Sequence, residues 1–153
     1  MLRSRQRRNR KRLRCPPWNY TSPGAHFVTI CVNDRARILS RIVGGRVRLT
    51  GVGQIAERCW VKIPVIYPSL HIDRFVIMPD HIHALIWLND STHSVSDVIG
   101  QFKAATTKQI NARWGHHGES ILQRGFHDTI IRDDRALNNI RGYIDLNPAR
   151  WDG

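Results

Sequence analysis

Two apolar runs joined by one turn constrain the fold more than any other feature of this chain. Residues 69–78 ("SLHIDRFVIM") and 81–88 ("HIHALIWL") are rich in aliphatic and aromatic residues, and Pro79-Asp80 lies between them. Apolar runs of this length bounded by turn residues predict β-strands. We therefore interpret this segment as a central hairpin.

The patterns on either side of this hairpin predict further strands and three helices. A high content of β-branched residues, or an alternation of apolar and polar residues, indicates strands. Apolar residues that recur on one helical face indicate helices. The order predicts an α+β sandwich of the ferredoxin-like or RNA-recognition type: an antiparallel central sheet with helices packed on it, plus a small β-hairpin insertion. The predicted elements are a strand at 26–32, a hairpin at 38–50 around Gly44-Gly45, a helix at 51–63, a helix from Ser94, a strand at 125–132 and a helix from Asp133-Asp134 to Pro148.

Length and charge indicate one folded domain with a basic arm. The chain has 153 residues and a formal net charge of +12, and residues 1–14 contain eight of its 24 basic residues and no acidic one. We divide the chain into a basic N-terminal arm at 1–17, expected to be disordered, and a single folded domain at 18–153. This charge balance favours polyanionic partners, nucleic acid before an anionic membrane surface.

No part of the sequence predicts export, a membrane span or a cysteine framework. The basic start is not followed by the apolar stretch of a signal peptide, and no run approaches the roughly 18 apolar residues of a membrane helix. Cys15, Cys31 and Cys59 are odd in number and far apart, so neither a disulfide network nor a thiolate zinc site is expected. We expect a cytoplasmic protein in which Cys31 and Cys59 are buried and reduced.

The histidines of the central hairpin are the first candidate functional residues. His81 and His83 are two residues apart in a predicted strand, so their side chains lie on the same side of the sheet. Two imidazoles placed in this way can bind one metal ion, although the pattern does not identify the metal. Hydrogen-bonded core histidines are the alternative, and the residues alone leave both interpretations open.

A tyrosine in the last predicted helix is the second candidate. Tyr143 lies about 60° from Ile140 around the helix axis, at the rim of the apolar face, and Asn147 follows one turn later. Taken singly, these residues are explained as a core-edge aromatic residue and a helix stop before Pro148. Together with the histidines and the basic charge they fit phosphoryl transfer to a tyrosine, with a metal ion placing the phosphate.

Five segments of the chain carry a resemblance to one family. They are "YTSPGAHFVTICV", "VIMPDHIHALI", "GQFKAATTKQIN", "LQRGFHDTIIR" and "IRGYIDLNPARW". In order and spacing they resemble the REP-associated tyrosine transposases, relatives of the smallest insertion-sequence transposases in the single-tyrosine HUH class. The similarity covers about residues 18–151.

The resemblance implies a role for each candidate residue. His81 and His83 would be the histidine-hydrophobic-histidine pair that binds Mg2+ or Mn2+. Tyr143 would be the nucleophile that forms a 5′-phosphotyrosine link with single-stranded DNA, and Asn147 would supply a third metal contact. Asp80 is a rival third ligand, but an extended backbone at this position would point its side chain away from the histidines.

The resemblance also implies a substrate and partners. It implies a bacterial enzyme that nicks and rejoins single-stranded DNA at palindromic hairpins and is associated with the nucleoid when bound to DNA. Such an enzyme needs a divalent metal and no nucleotide cofactor, and it acts as a monomer or a homodimer. Two positions depart from the family pattern: Asp80 stands where asparagine is usual, and Thr129 where a histidine is common. The first adds charge near the metal, and the second removes a contact to DNA or to the site.

Basic and aromatic residues provide candidate contacts to DNA, with solvated surface and core packing as the alternatives. Cations suit phosphate contacts, and aromatic rings suit stacking on an unpaired base. The candidate phosphate contacts are Arg7, Arg8, Lys11 and Arg12 in the arm and Lys103, Lys108, Arg124, Arg132 and Arg135 in the domain; the stacking candidates are Trp18, Tyr20 and Trp151.

Two other functions compete with a transposase. One is a non-catalytic nucleic-acid-binding module in which the histidines are structural. The other is a replication initiator or relaxase, which shares HUH chemistry but usually places its tyrosine before the histidines. In this chain Tyr143 follows His81 and His83, and that order disfavours the second alternative.

Overall fold

The fold is given by a computed structural model that describes residues 25–89, 92–115 and 120–152. The strands are β1 (Ala25–Cys31), β2 (Ser40–Val43), β3 (Arg46–Leu49), β4 (Leu70–Ile77), β5 (His81–Leu88) and β6 (His127–Ile131). The helices are α1 (Gly51–Val61), α2 (Ile63–Ile66), α3 (Val95–Trp114) and α4 (Asp134–Leu146), with short 3-10 turns at Asn33–Arg35 and Pro148–Arg150. The arm at 1–17 with Arg7, Arg8, Lys11 and Arg12, and the aromatic candidates Trp18 and Tyr20, lie outside the described residues.

The main sheet has four antiparallel strands in the order β4-β5-β1-β6, and β2 and β3 form a separate hairpin. This is the strand order of a ferredoxin-like sandwich, so the α+β prediction with its hairpin insertion is confirmed. Every residue of β5 is buried. A strand that is covered on both faces has this continuous apolar character instead of strict alternation.

Helices pack on both faces of the sheet. On one face α1 and α3 form the larger core, in which the rings of Trp60 and Phe102 meet edge to face at 5.1 Å. On the other face α4 buries Leu137 and Ile144 in a smaller cluster with residues of β5 that include Trp87. The α4 face therefore has less apolar contact to hold its helix.

Polar side chains cap the helices at the predicted positions. Ser94 accepts a hydrogen bond from the Asp97 N–H, and the Asp97 carboxylate accepts one from the Ser94 N–H, which makes a capping box at the start of α3. Asp133 accepts a hydrogen bond from the Ala136 N–H and caps α4. These caps fix where each helix begins and so where its later side chains fall.

Backbone hydrogen bonds anchor the turn between β4 and β5. The Leu39 N–H donates to the Pro79 oxygen at 3.0 Å, and the Val32 N–H donates to the Asp80 oxygen at 2.9 Å. Thr50, which caps α1, also donates its hydroxyl to the Leu39 oxygen at 3.0 Å. The turn that precedes the histidine pair is therefore held by two separate parts of the chain.

The predicted burial of Cys31 and Cys59 is confirmed. Cys31 and Cys59 are buried free thiols, and Cys15 lies outside the described residues. Within the described ranges, no helix is long and apolar enough to cross a membrane.

We predict that a methyl group at Gly53 disrupts the junction near Leu39. A Cβ at Gly53 would lie 1.9 Å from the Leu39 backbone oxygen. Because the backbone must shift, we expect Gly53→Ala to lower the free energy of unfolding by about 1–3 kcal/mol in chemical denaturation. Gly100→Ala in α3 is the control: its Cβ meets no atom within 4 Å, so we expect equal or higher stability. Equal stability of the two variants would contradict the prediction.

Candidate active site

Two histidine side chains begin β5 on the face that carries α4. Ile82 and Ala84 pack in the core on the opposite face, so alternation along the strand puts His81 and His83 on the α4 face. Each histidine is 7% exposed, and their ring centroids are 4.4 Å apart. The structure thus brings the predicted pair together on one surface.

The Nδ1 atom of each ring is engaged by a neighbouring side chain. The pairing of β1 with β5 sets Thr29 opposite His83, and Thr29 Oγ1 lies 2.9 Å from His83 Nδ1. His81 Nδ1 donates to Asp80 Oδ1 at 2.6 Å. Within the described ranges, each ring therefore has its Nε2 atom available to bind a ligand. Metal-binding histidines are commonly oriented through their other nitrogen in this way.

Asp80 is bound to His81 and Arg35, and the expectation that it points away from the histidines is wrong. It precedes the first residue of β5, so strand alternation does not apply to it. Its Oδ1 accepts from His81, and its Oδ2 accepts from Arg35 Nε at 3.1 Å. Arg35 Nη2 also approaches His81 Nδ1 at 3.4 Å, but this nitrogen already donates to Asp80. Asp80 therefore orients His81, and the Arg35 cation offsets the charge that Asp80 adds.

Burial keeps both imidazoles neutral at pH 7. Burial, assisted by the charge that His81 carries when it is protonated and by the positive charge of Arg35, lowers the pKa of His83 from 6.5 to about 4. Burial also lowers the pKa of His81, although the hydrogen bond with Asp80 acts in the opposite direction. The neutral imidazole is the form that binds a metal ion.

Tyr143 lies beside His83 within the same chain. The ring centroids of Tyr143 and His83 are 5.3 Å apart, and Phe27 touches both rings, at 6.1 Å from Tyr143 and 5.2 Å from His83. Tyr143 is 46% exposed. The predicted position at the rim of the apolar face of α4 is confirmed.

The chain beyond α4 continues past the histidines. Asn147 has helical backbone angles, φ −55° and ψ −46°, so it lies one turn beyond Tyr143. Further along, the Trp151 ring lies 6.4 Å from the His81 ring and under the guanidinium of Arg37. Asn147 thus falls between a residue next to His83 and a residue next to His81, and its metal contact stays a prediction.

The predicted DNA contacts in the domain have different environments. Lys108 and Arg124 are exposed and line an open cleft of about 690 Å3. Lys103 lies in the same cleft, but its Nζ donates to the backbone oxygens of residues 123–125 at 2.6 to 3.0 Å. These bonds use all three of its N–H donors, so Lys103 holds the loop, and its contact with phosphate stays a prediction. Arg132 is half-buried directly after β6.

A smaller cavity lies between the histidine site and this cleft. Its volume is about 220 Å3, and its lining includes Thr29, His127 and Gln123, the last of which also lines the larger cleft. Neither cavity is lined by the histidine pair or by Tyr143. Thr29, which lies beside His83, therefore connects the candidate site to the smaller cavity.

Comparison with known proteins assigns the family. Residues 21–147 match the family model described as "Transposase IS200 like". The chain belongs to the IS200-like transposase family. A Haemophilus influenzae protein named "Putative REP-associated tyrosine transposase" is 28% identical over 86% of this chain and 74% of its own length. A second protein of that organism, described as uncharacterized, is 27% identical over 94% of this chain and 91% of its own length.

Two solved structures share the fold of this IS200-like transposase. The structure of a REP-associated tyrosine transposase bound to a REP hairpin has a TM-score of 0.66 and 22% identity, over 87% of this chain and 72% of that chain. The crystal structure of a Deinococcus radiodurans protein, described as a "putative transposase", has a TM-score of 0.51 and 16% identity, over 84% and 93%. These structures support the fold. With the family model and the named relative, they confirm the predicted resemblance to the REP-associated tyrosine transposases.

Two residues that shape the site of this IS200-like transposase were not predicted from the sequence. Arg35 reaches Asp80 from a left-handed backbone, with φ 57° at Asp34 and φ 52° at Arg35. The Asn-Asp dipeptide before Arg35 was an available signal, because both residues tolerate this conformation. Thr29 carried no signal of its own, since only the strand register brings it to His83.

Thr129, the second position at which the resemblance implies a departure, also lies beside the site. Thr129 pairs with Phe27 across β1 and β6, and His127 pairs with Thr29. Directly opposed residues project to the same face of a sheet. A histidine at position 129 would therefore face the site, where this chain has a threonine.

We predict that His83 makes stability fall in mild acid. The unfolded state takes up this proton near pH 6.5, whereas the folded state does so only near 4. Between these values the unfolded state binds more protons, so the free energy of unfolding decreases as pH is lowered. An NMR titration of His83 should have a midpoint near 4, and denaturation at about pH 4.5 should show lower stability than at about pH 7. His83→Gln should lose this part of the dependence, and a midpoint near 6.5 would contradict the prediction.

Proposed function

We propose that this transposase cleaves and rejoins single-stranded DNA that carries a hairpin, with Tyr143 as the nucleophile. The observation that carries the proposal is the contact of the Tyr143 ring with His83, a residue distant in sequence that shares the α4 face with His81. A half-exposed phenol next to two buried, neutral imidazoles is suited to phosphoryl transfer. A tyrosine that only packs at the edge of the core would not require two buried histidines beside it.

The residues present fit a weak divalent metal site. Among the described residues, no three His, Cys, Asp or Glu side chains are grouped so that they could hold a metal ion. His81 and His83 would therefore hold Mn2+ or Mg2+ with Asn147 and with DNA phosphate oxygens. These protein ligands bring no formal negative charge, so we expect weak metal binding without DNA. When bound, the ion would place the scissile phosphate and draw charge from its non-bridging oxygen.

The reaction conserves the phosphodiester bond energy. The Tyr143 oxygen loses its proton and bonds to phosphorus while the bond from phosphorus to the 3′-oxygen breaks. The products are a free 3′-OH and a 5′-phosphotyrosine. Attack by a 3′-OH on this phosphotyrosine reforms a phosphodiester and restores the phenol, so no ATP is required.

A basic surface next to the site suits the DNA strand. The cavity at Thr29 shares Gln123 with the cleft that Lys108 and Arg124 line. Exposed cations contact phosphates without reading sequence. A hairpin as the partner is supported by the structural relative that is bound to a REP hairpin. We therefore propose that the strand runs from the histidine surface past Thr29 towards Lys108 and Arg124.

We predict a covalent adduct with hairpin DNA. Wild-type protein, Mn2+ and a labelled single-stranded hairpin oligonucleotide should give a shifted band on a denaturing gel. Tyr143→Phe should give none because it lacks the nucleophilic oxygen, and His81→Ala should give none because it lacks a metal ligand. Hairpin affinity of both variants should stay close to wild type. Absence of an adduct from wild-type protein on cognate hairpins would favour a nucleic-acid-binding module.

We also predict that the site is complete within one chain. Because Tyr143 lies beside His83 of its own chain, a mixture of Tyr143→Phe and His81→Ala proteins should form no adduct. Wild-type protein at the same total concentration is the positive control. Recovery of adduct in the mixture would show instead that the tyrosine acts on the histidines of a partner.

A further inference from the structure

An irregularity in β4 turns an aspartate towards α4. The pairing of β4 with β5 shifts register between Ile72 and Arg74. A bulge leaves one residue unpaired and redirects its side chain. That residue is Asp73, whose side chain is 3% exposed. A buried carboxylate at a strand irregularity calls for a specific partner.

The partner is the guanidinium of Arg141 on α4. Arg141 Nε donates to Asp73 Oδ1 at 2.9 Å and Arg141 Nη2 donates to Asp73 Oδ2 at 2.6 Å. Trp87 Nε1 on β5 donates to Oδ2 at 3.0 Å. Burial raises the pKa of Asp73, but the hydrogen bonds and charges of Arg141, Trp87 and Arg74 outweigh burial and lower it. The pair is therefore ionised at pH 7, with a planar two-bond geometry that fixes orientation as well as distance.

This pair fixes the rotation of α4 about its axis. Arg141 and Tyr143 are two residues apart, which places them about 200° apart around the helix. Arg141 meets β4 at the edge of the sheet, while Tyr143 meets His83 on β5 and Phe27 on β1. A small rotation that loosened the Asp73 contact would therefore carry the phenol away from His83.

Tyr143 has little else to hold it in place. Only Leu137 and Ile144 of α4 are buried, and apolar contacts are not directional. Within the described ranges the Tyr143 side chain has ring contacts with Phe27 and His83 but no hydrogen bond. Its place thus depends on how the helix is docked.

Stability alone is a weak reason for this ion pair. Replacing a buried ion pair by apolar residues is often neutral or stabilising, because both charges must be desolvated. A second ion pair joins the same two elements, Arg74 Nε with Asp145 Oδ1 at 3.5 Å, but both side chains are about half exposed. Exposed pairs of this kind contribute little, which makes Asp145 a matched control.

We propose that the Asp73–Arg141 ion pair is a positioning element that holds Tyr143 beside His83. The catalytic part of this inference rests on the proposed function of Tyr143. The structural part, that the ion pair docks the helix, does not rest on the proposed function.

The kinetic test separates positioning from folding. Arg141→Lys keeps the charge but loses the two-bond geometry. Misplacing a reacting group by a small distance is costly, so we expect adduct formation at saturating hairpin DNA to slow by on the order of tenfold to a hundredfold. Hairpin affinity should be unchanged. Asp145→Asn should react within about twofold of wild type. A wild-type rate in folded Arg141→Lys protein would overturn the proposal.

A second test needs no catalysis. NMR cross-peaks between the Tyr143 ring and the rings of Phe27 and His83 should weaken or vanish in Arg141→Lys and persist in Asp145→Asn. Cross-peaks of wild-type intensity in Arg141→Lys would overturn the proposal. If Arg141→Lys does not fold, Asp73→Asn, which keeps the shape and the Trp87 hydrogen bond, takes its place in both tests. If wild-type protein forms no adduct, the proposed function fails, while the cross-peaks still decide whether the ion pair positions the tyrosine.

Discussion

Antiparallel pairing between β1 and β5 sets Thr29 opposite His83 and Cys31 opposite His81, and the rest of the site is arranged around that register. A shift of one residue in the pairing of β1 with β5 would exchange the side chains that face α4 with those that face the core on the opposite side of the sheet. Thr29 would then no longer reach His83 Nδ1, and Phe27 would not lie between His83 and Tyr143. The core on the opposite face holds this register, because the alternate residues of both strands are buried there.

The electrostatics of the site follow from how each charge is paired. Asp80 brings a carboxylate to the site, but Arg35 neutralises it, and both of its oxygens have donors. The imidazoles stay neutral because they are buried. The surface that the histidines and Tyr143 share therefore has little net charge of its own.

Most of the fold could be predicted from the sequence because its elements have strong local patterns. The central hairpin, the small hairpin at Gly44-Gly45 and the caps at Ser94 and Asp133 lie where periodicity and capping chemistry indicated. The expected direction of Asp80 was wrong because Asp80 precedes His81, the first residue of β5, so strand alternation does not set its direction. The environment of Lys103 could not be predicted either, because a loop that is distant in sequence supplies three carbonyl oxygens to its ammonium group.

The sequence by itself determined that His81 and His83 share one face and that Asn147 follows Tyr143 by one helical turn, because strand and helix periodicities are local. Only the tertiary structure decided that the tyrosine meets His83 of its own chain, with Thr29 behind that histidine and Asp73 holding the helix. These contacts depend on strand register, on a bulge in β4 and on the docking of α4, which join residues distant in sequence. No periodicity in the chain encodes them, so they appear only once the sheet and its helices are assembled.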